Sequence, residues 1–200
     1  FFNGLADNEG PDGIAAAGGY WSARISFFLG IPQKANYFLS KAAKRERTFY
    51  GSLAMASLGY QYTPKFDLPK YDINLLKKIT KHKGGIRALA LIEVKEYHKA
   101  AREFRKIIPR FHVKDYPKLL SFISKNNMPG LTFRLAAILR NDYDQIHLGG
   151  LYPIPSWKMD TSDLKDKALI YAIARQESGF NPRAKSSSKA MGVLQIIPST

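Results

Sequence analysis

The stretch Gly84-Gly85-Ile86-Arg87-Ala88-Leu89-Ala90-Leu91-Ile92-Glu93-Val94-Lys95-Glu96-Tyr97-His98-Lys99-Ala100-Ala101-Arg102-Glu103-Phe104-Arg105-Lys106-Ile107-Ile108 decides the architecture. Ile86–Val94 and Tyr97–Ile108 each place apolar residues at helical spacing. The break at Lys95-Glu96 is so short that the second helix must run back along the first. Leu89-Ala90-Leu91 and Tyr97, Ala100, Ala101 and Phe104 supply the small and large side chains that interlock where such a pair packs. No segment shows the two-residue alternation of a half-buried strand.

This hairpin resembles a tetratricopeptide-type unit, whose apolar face is covered only by stacking on neighbours. Its neighbours read the same way. Tyr20–Leu29 is apolar with a helical period and stops at Gly30. Pro32 suits a first turn, and Gln33–Arg45 follows with Ala35, Phe38, Leu39 and Ala42 on one face. Thr48–Leu58 ends at Gly59, and Asp72–His82 lines up Ile73, Leu76 and Ile79. Tyr116–Lys125 and Gly130–Arg140 continue the series. No fixed period emerges, so residues 1–140 are expected to form an irregular superhelical stack of helical pairs. Residues 141–160 break the rhythm. Gly149-Gly150-Leu151-Tyr152-Pro153-Ile154-Pro155-Ser156-Trp157 reads as a linker with no regular helix. A separate region, 161–200, begins after it. The expected fold class is all-α.

Composition bounds the chemistry. The 200 residues are 45% hydrophobic, which is enough for a core and excludes wholesale disorder. With no cysteine there is no disulfide framework, no Cys-ligated metal and no thiol catalysis. No apolar run approaches the roughly 18 residues of a membrane span, so the chain is read as not membrane-spanning. Phe1–Gly10 lacks the basic and apolar regions of a signal peptide, and the chain reads as an excised piece of something larger. The net charge of +15 is concentrated: residues 34–140 carry 23 basic and 7 acidic side chains, whereas 141–200 carry 7 and 6. That favours an anionic polymer as partner. A nucleic acid is disfavoured, because the basic residues form no compact patch with interleaved aromatics and no nucleic-acid-binding motif.

The chemistry-bearing residues lie in the last forty. Thr161 or Ser162 can cap a helix with Asp163 in its first turn. Ala168-Leu169-Ile170-Tyr171-Ala172-Ile173-Ala174 is apolar all round, which reads as a buried helix. Glu177 follows Ile170, Ile173 and Ala174 at seven, four and three residues, on the same face. A carboxyl at the buried end of such a helix is desolvated, which favours the protonated form that a general acid needs. By spacing alone, a Glu paired with Arg175 or a nearby Lys is the competing reading. Ser178 reads as a helix-end group, and the serine run 186–188 as a loop.

Ala174-Arg175-Gln176-Glu177-Ser178-Gly179-Phe180-Asn181-Pro182-x-Ala184-x-Ser186, followed by Ala190-Met191-Gly192-x-x-Gln195-x-x-Pro198-x-Thr200, resembles the signature of the soluble lytic murein transglycosylases. The strong match covers about 35 residues; the basic helical region and Tyr152-Pro153-Ile154-Pro155 resemble, more weakly, what precedes that family's catalytic domain. The resemblance implies that 161–200 is the N-terminal part of a lysozyme-like helical domain. It implies non-hydrolytic cleavage of the β-1,4 bond between N-acetylmuramic acid and N-acetylglucosamine, giving 1,6-anhydro ends. Glu177 takes the place of the single catalytic acid, Ser186 that of a serine beside it, and Met191 and Gln195 those of groove positions that contact the acetylated sugars. No metal or other cofactor is implied. Residues 178–200 contain no Asp or Glu, which fits a one-carboxylate scheme, unlike the carboxylate pair of ordinary glycosidases.

The implied partners are peptidoglycan glycan strands, with other cell-wall enzymes as further candidates, and the implied place is the periplasm or cell envelope. On that footing the basic stack becomes a docking surface for a carboxylate-bearing wall polymer. Two departures stand out. Lys189 occupies a position where the family usually has Gly, and a non-glycine residue costs on the order of 1 kcal/mol if φ is positive there. The family also continues through further groove-forming helices, so residues 1–200 alone are expected to be inactive. The alternative is a helical-repeat module that binds peptidoglycan or a protein without catalysis.

Overall fold

The computed structural model describes residues 2–7 and 11–199. The chain forms two compact units, Phe1–Pro64 and Lys65–Thr200. Both are helical. Among the described residues there is no strand, only isolated bridges joining Met191 to Lys185 and to Ile196. The expected all-α class is what the molecule has.

The first unit consists of α1 (Phe2–Ala6), α2 (Asp12–Phe28), α3 (Pro32–Ala43) and α4 (Phe49–Ser57). Helix α2 starts eight residues before the Tyr20 expected from periodicity. The reason is composition: Ala15, Ala16, Gly18 and Gly19 show no large apolar stripe, yet all four are buried. Gly19 lets α3 approach so closely that a Cβ would sit 3.1 Å from the Phe38 carbonyl and the Ala42 methyl. Gly30 at φ 70° and Gly59 at φ 79° end α2 and α4. After each, the next amide bonds back across the turn, Ile31 to Ser26 and Tyr60 to Met55, as a left-handed cap requires.

The second unit holds α5 (Ile73–Thr80), α6 (Lys83–Glu93), α7 (Tyr97–Ile107), α8 (Tyr116–Lys125), α9 (Pro129–Tyr143), α10 (Leu148–Leu151) and α11 (Leu164–Ser178). The diagnostic hairpin is α6–α7. Lys95, at φ 60°, makes its reversal, and the Glu96 amide closes on the Leu91 carbonyl at 2.8 Å. Its interior joins Ala88, Ala100 and Phe104 to Leu75, Ile79, Leu119, Leu120, Ile123, Leu135 and Leu139 in one core. Ion pairs tie the rim. Lys78 reaches both oxygens of the buried Asp115 at 2.7 Å, and Lys118 reaches Asp72, the cap of α5, at 2.9 Å.

Two boundaries differ from expectation. Gly149 and Gly150, read as turn formers, lie inside the short helix α10. They are there for close approach: a Cβ on Gly149 would run into the Phe66 carbonyl, and one on Gly150 would lie 2.8 Å from Ala136 and Leu120 side-chain atoms. The cap of α11 is Asp163, whose carboxylate accepts from the Lys165 amide, so neither Thr161 nor Ser162 caps it. Thr161 supports that cap by accepting from the Asp163 amide.

Phe104→Ala should cost about 3–5 kcal/mol, read as a fall in the denaturation midpoint, because the ring is fully buried. Gly85→Ala should also destabilise. Ala normally improves a helix interior by about 0.5–1 kcal/mol, but its Cβ would strike the Ile79 carbonyl. The Lys106 and Arg87 hydrogen bonds hold the Glu103 carboxyl below its ordinary 4.5, and those from Lys118 and the Leu75 amide hold Asp72 below 3.8. Both groups therefore stabilise the fold above those values. Their contribution is lost as pH falls through the lower folded values, which an acid titration of the melting temperature detects.

Candidate active site

Helix α11 rests on the rest of its unit through one face and its C-terminal end. Tyr171 donates to the Pro155 carbonyl at 3.0 Å, and its ring meets Trp157. Arg175 lies between two rings, its guanidinium carbon 4.8 Å from the Phe133 centroid and 4.6 Å from that of Tyr152. Its Nε donates to the Leu151 carbonyl at 2.8 Å. Beyond the helix, Gly179 and Phe180 both adopt positive φ, and their amides close on the Arg175 and Ala174 carbonyls. The buried Phe180 ring then packs against Phe133 and Trp157.

The expectation of a buried helix fails. Of its residues only Ala174 is buried, while Leu164 is 78% exposed and Ile173 40%. The packing face is the narrow one of Tyr171, Ala174, Arg175 and Ser178. Leu164, Leu169 and Ile173 point where no element of the described residues covers them. Glu177 is accordingly exposed, so burial does not desolvate it. The competing reading fails as well. Arg175 is held by Leu151 and the two rings, and the Glu177 carboxyl makes no ion pair or hydrogen bond among the described residues.

The other three predicted residues share one loop. Ser186 exchanges hydrogen bonds with Ala190, its amide donating to the Ala190 carbonyl and its Oγ accepting from the Ala190 amide, both at 3.0 Å. Met191 is bridged to Lys185 and Ile196, with its side chain exposed. Gln195 has φ 49°, and its Nε2 donates to the Gly192 carbonyl at 2.8 Å, which leaves Oε1 free among the described residues. Ser178 joins this loop to the helix end. Its hydroxyl lies 2.8 Å from the Val193 carbonyl, and it accepts from the Asn181 amide at 3.1 Å. Ser178 is thus the helix-end group expected, with a reach to Val193 that local sequence cannot show. No hydrogen bond joins Ser186 to Glu177, and Thr200 lies outside the described residues. Sequence reading also missed the seat of Arg175; Phe133 and Tyr152, far from the motif, gave no local signal for it. Among the described residues no three metal-ligating side chains cluster.

The family model described as Transglycosylase SLT domain matches residues 158–200. The soluble lytic murein transglycosylase of Salmonella typhimurium is 28% identical over 185 residues, which are 90% of this chain and 28% of that protein. The 70 kDa soluble lytic transglycosylase in complex with bulgecin A superposes with a TM-score of 0.71 at 23% identity, covering 98% of this chain and 31% of its own. An inactive glutamate-to-glutamine mutant of the lytic transglycosylase Slt from Pseudomonas aeruginosa gives a TM-score of 0.67 at 23% identity, over 92% and 30%. The structures show a shared fold. The chain resembles the soluble lytic murein transglycosylases, as the two motifs indicate, and spans somewhat less than a third of their length.

Lys189 has φ 65°, the left-handed backbone at which the departure from Gly has a cost. Lys189→Gly should stabilise the loop by about 1 kcal/mol, seen as a raised melting temperature. Ser178→Ala should have the opposite effect, of about 1 kcal/mol, by leaving the Val193 carbonyl without its donor and the Asn181 amide with only its longer bond to the Ser178 carbonyl.

Proposed function

We propose that this chain is part of a peptidoglycan lytic transglycosylase, with Glu177 as its single catalytic acid and base. The observation that carries the reading is the uncommitted Glu177 carboxyl, set beside an anchored turn at the end of α11. Arg175, the nearest cation in sequence, is withheld from it by the Leu151 carbonyl and two rings. A catalytic carboxyl must be free to exchange its proton with substrate, and a structural one is normally paired.

The steps follow from one such group. Protonated Glu177 gives its proton to the glycosidic oxygen as the bond to the N-acetylmuramic acid anomeric carbon breaks. The resulting carboxylate then takes the proton from the C6 hydroxyl of the same sugar. O6 attacks the anomeric carbon and closes the 1,6-anhydro ring, so no water is consumed and the carboxyl regains its proton. The exposed Ser186 and Met191 and the half-buried Gln195 supply a polar and apolar edge for the sugars, with Gln195 Oε1 as an acceptor for an acetamido N–H. The whole protein's activity is inferred from relatives of which this chain spans less than a third. The division into a helical region 1–140, a connector 141–160 and the start of the catalytic domain at 161–200 goes with the reading, as does a place in the periplasm or cell envelope. No helix among the described residues is long and apolar enough to cross a membrane.

The concentration of charge in residues 34–140 favours a second reading, a binding module without catalysis. One experiment separates them. Intact protein is incubated with purified murein and the soluble products are weighed by mass spectrometry. Anhydro ends are expected, reduced at least about a hundredfold in Glu177→Gln while binding to sacculi persists. Reducing ends would mean lysozyme-type hydrolysis, and no cleavage would leave the binding module. Sacculus binding itself should weaken as salt rises from low to physiological strength, because exposed Lys and Arg are screened.

A further inference from the structure

Among the described residues, the second unit has one buried side-chain nitrogen or oxygen without a hydrogen-bond partner, Nε2 of His147. The residue stands at the start of α10, and its own carbonyl accepts from the Gly150 and Leu151 amides, both at 3.0 Å. The seat is tight. Gly149 lies against the Phe66 carbonyl and Gly150 against Ala136 and Leu120, with no room for a Cβ at either. The far end of the same turn supplies the Leu151 carbonyl to which Arg175 donates at 2.8 Å. One helical turn therefore joins an unmet ring nitrogen to the tie that anchors α11.

An imidazole is tolerated in such a seat only while neutral. Whichever nitrogen bears the hydrogen in the neutral ring, both donate in the imidazolium, which leaves a buried N–H and a positive charge with nothing to meet them. Burial accordingly pushes His147 below its ordinary 6.5, and no neighbouring charge adds to the shift. Helix α10 has no charged side chain of its own. Of the elements packed on it, α8 carries Tyr116, Lys118 and Lys125, and α9 carries Arg134, Arg140, Asp142 and Tyr143. Lys118 is held by Asp72, Lys125 lies over the Tyr71 ring, and the two tyrosines meet each other. The segment beside Gly149 adds Lys65, Asp67 and Lys70, the chain before α10 adds Asp144, and α11 adds Arg175. None of these makes a hydrogen bond or ion pair with the buried Nε2 among the described residues. The neutral ring thus supports the seat above 6.5, and that support is lost as pH falls through the lower folded value.

We propose that α10 is an acid-sensitive clasp: a proton taken up by His147 lifts the turn from its seat, and the Leu151 carbonyl is drawn away from Arg175, loosening α11. Leu151 is the one α10 side chain in the large core of this unit, so the turn can open while the core stays closed. In acid the helix that carries Glu177 is then held by fewer contacts than at neutral pH. The clasp concerns the anchoring of α11, so it stands or falls apart from the catalytic reading of Glu177.

Hydrogen–deuterium exchange of the intact protein, read by mass spectrometry and corrected for the intrinsic pH dependence of exchange, tests it. Between about pH 8 and about pH 5 the amides of α11 should come to exchange about tenfold faster, while those of α8 keep their protection. His147→Gln should abolish the acceleration. His98→Gln, which removes the other histidine held below its ordinary value, should leave it intact. In wild-type protein labelled at histidine, the His147 NMR signal should titrate below 6.5, a readout that depends on no variant. Titration of His147 at or above 6.5, pH-independent protection of α11, or equal acceleration in α8 would each overturn the proposal. So would an acceleration that survives His147→Gln in a protein of unchanged melting temperature, or one that His98→Gln removes.

Discussion

The candidate site depends on how one cation is seated. Arg175 lies between Phe133 and Tyr152 and donates to the Leu151 carbonyl, so a single side chain ties α11 to both α9 and α10. Stacking on two rings satisfies the flat faces of the guanidinium, and the hydrogen bond satisfies its edge. Because α11 buries only Ala174, the helix has little hydrophobic area to hold it, and directional contacts take over that work. The same seat removes the nearest partner for Glu177. Anchoring the helix and freeing the carboxyl are consequences of one contact.

Close approach explains much of the remainder. Gly130 has no side chain, and a Cβ there would sit 3.1 and 3.2 Å from the Gly179 and Phe180 carbonyls. The start of α9 can therefore come up against the turn that ends α11. Gly149 and Gly150 do the same for α10. Glycines in this unit act less as hinges than as missing volume. Positive φ is instead carried partly by residues that resist it, Phe180, Lys189 and Gln195. Their strain is tolerated because the paired loop 184–196 and the ring cluster around Phe180 specify the backbone on both sides.

How much of this was legible in the sequence depended on the range of the interaction. Large apolar residues at helical spacing located α3 to α9 within a few residues, and Tyr116–Lys125 matched at both ends. The start of α2 was hidden because an Ala/Gly face has no amphipathic contrast. The all-apolar run 168–174 misled for a related reason. Periodicity reports what a segment can bury, and whether it does so depends on elements that a local window does not contain. Local chemistry placed Glu177 on a helix and Ser178 at its end. The rings that hold Arg175 come from positions 133 and 152, and no spacing rule connects them to the motif.

The Ser178 hydroxyl carries a consequence for how this segment can change over time. It donates to Val193 and accepts from Asn181, two roles that its one hydrogen and its lone pairs can fill together. An alanine fills neither, an ionised aspartate only the accepting one, and a larger amide demands space in the turn. Thr is the one other residue with the same hydroxyl chemistry. Drift at this position is therefore confined to Ser and Thr unless the Val193 loop is rebuilt in the same step, although Ser178 itself need never touch a substrate.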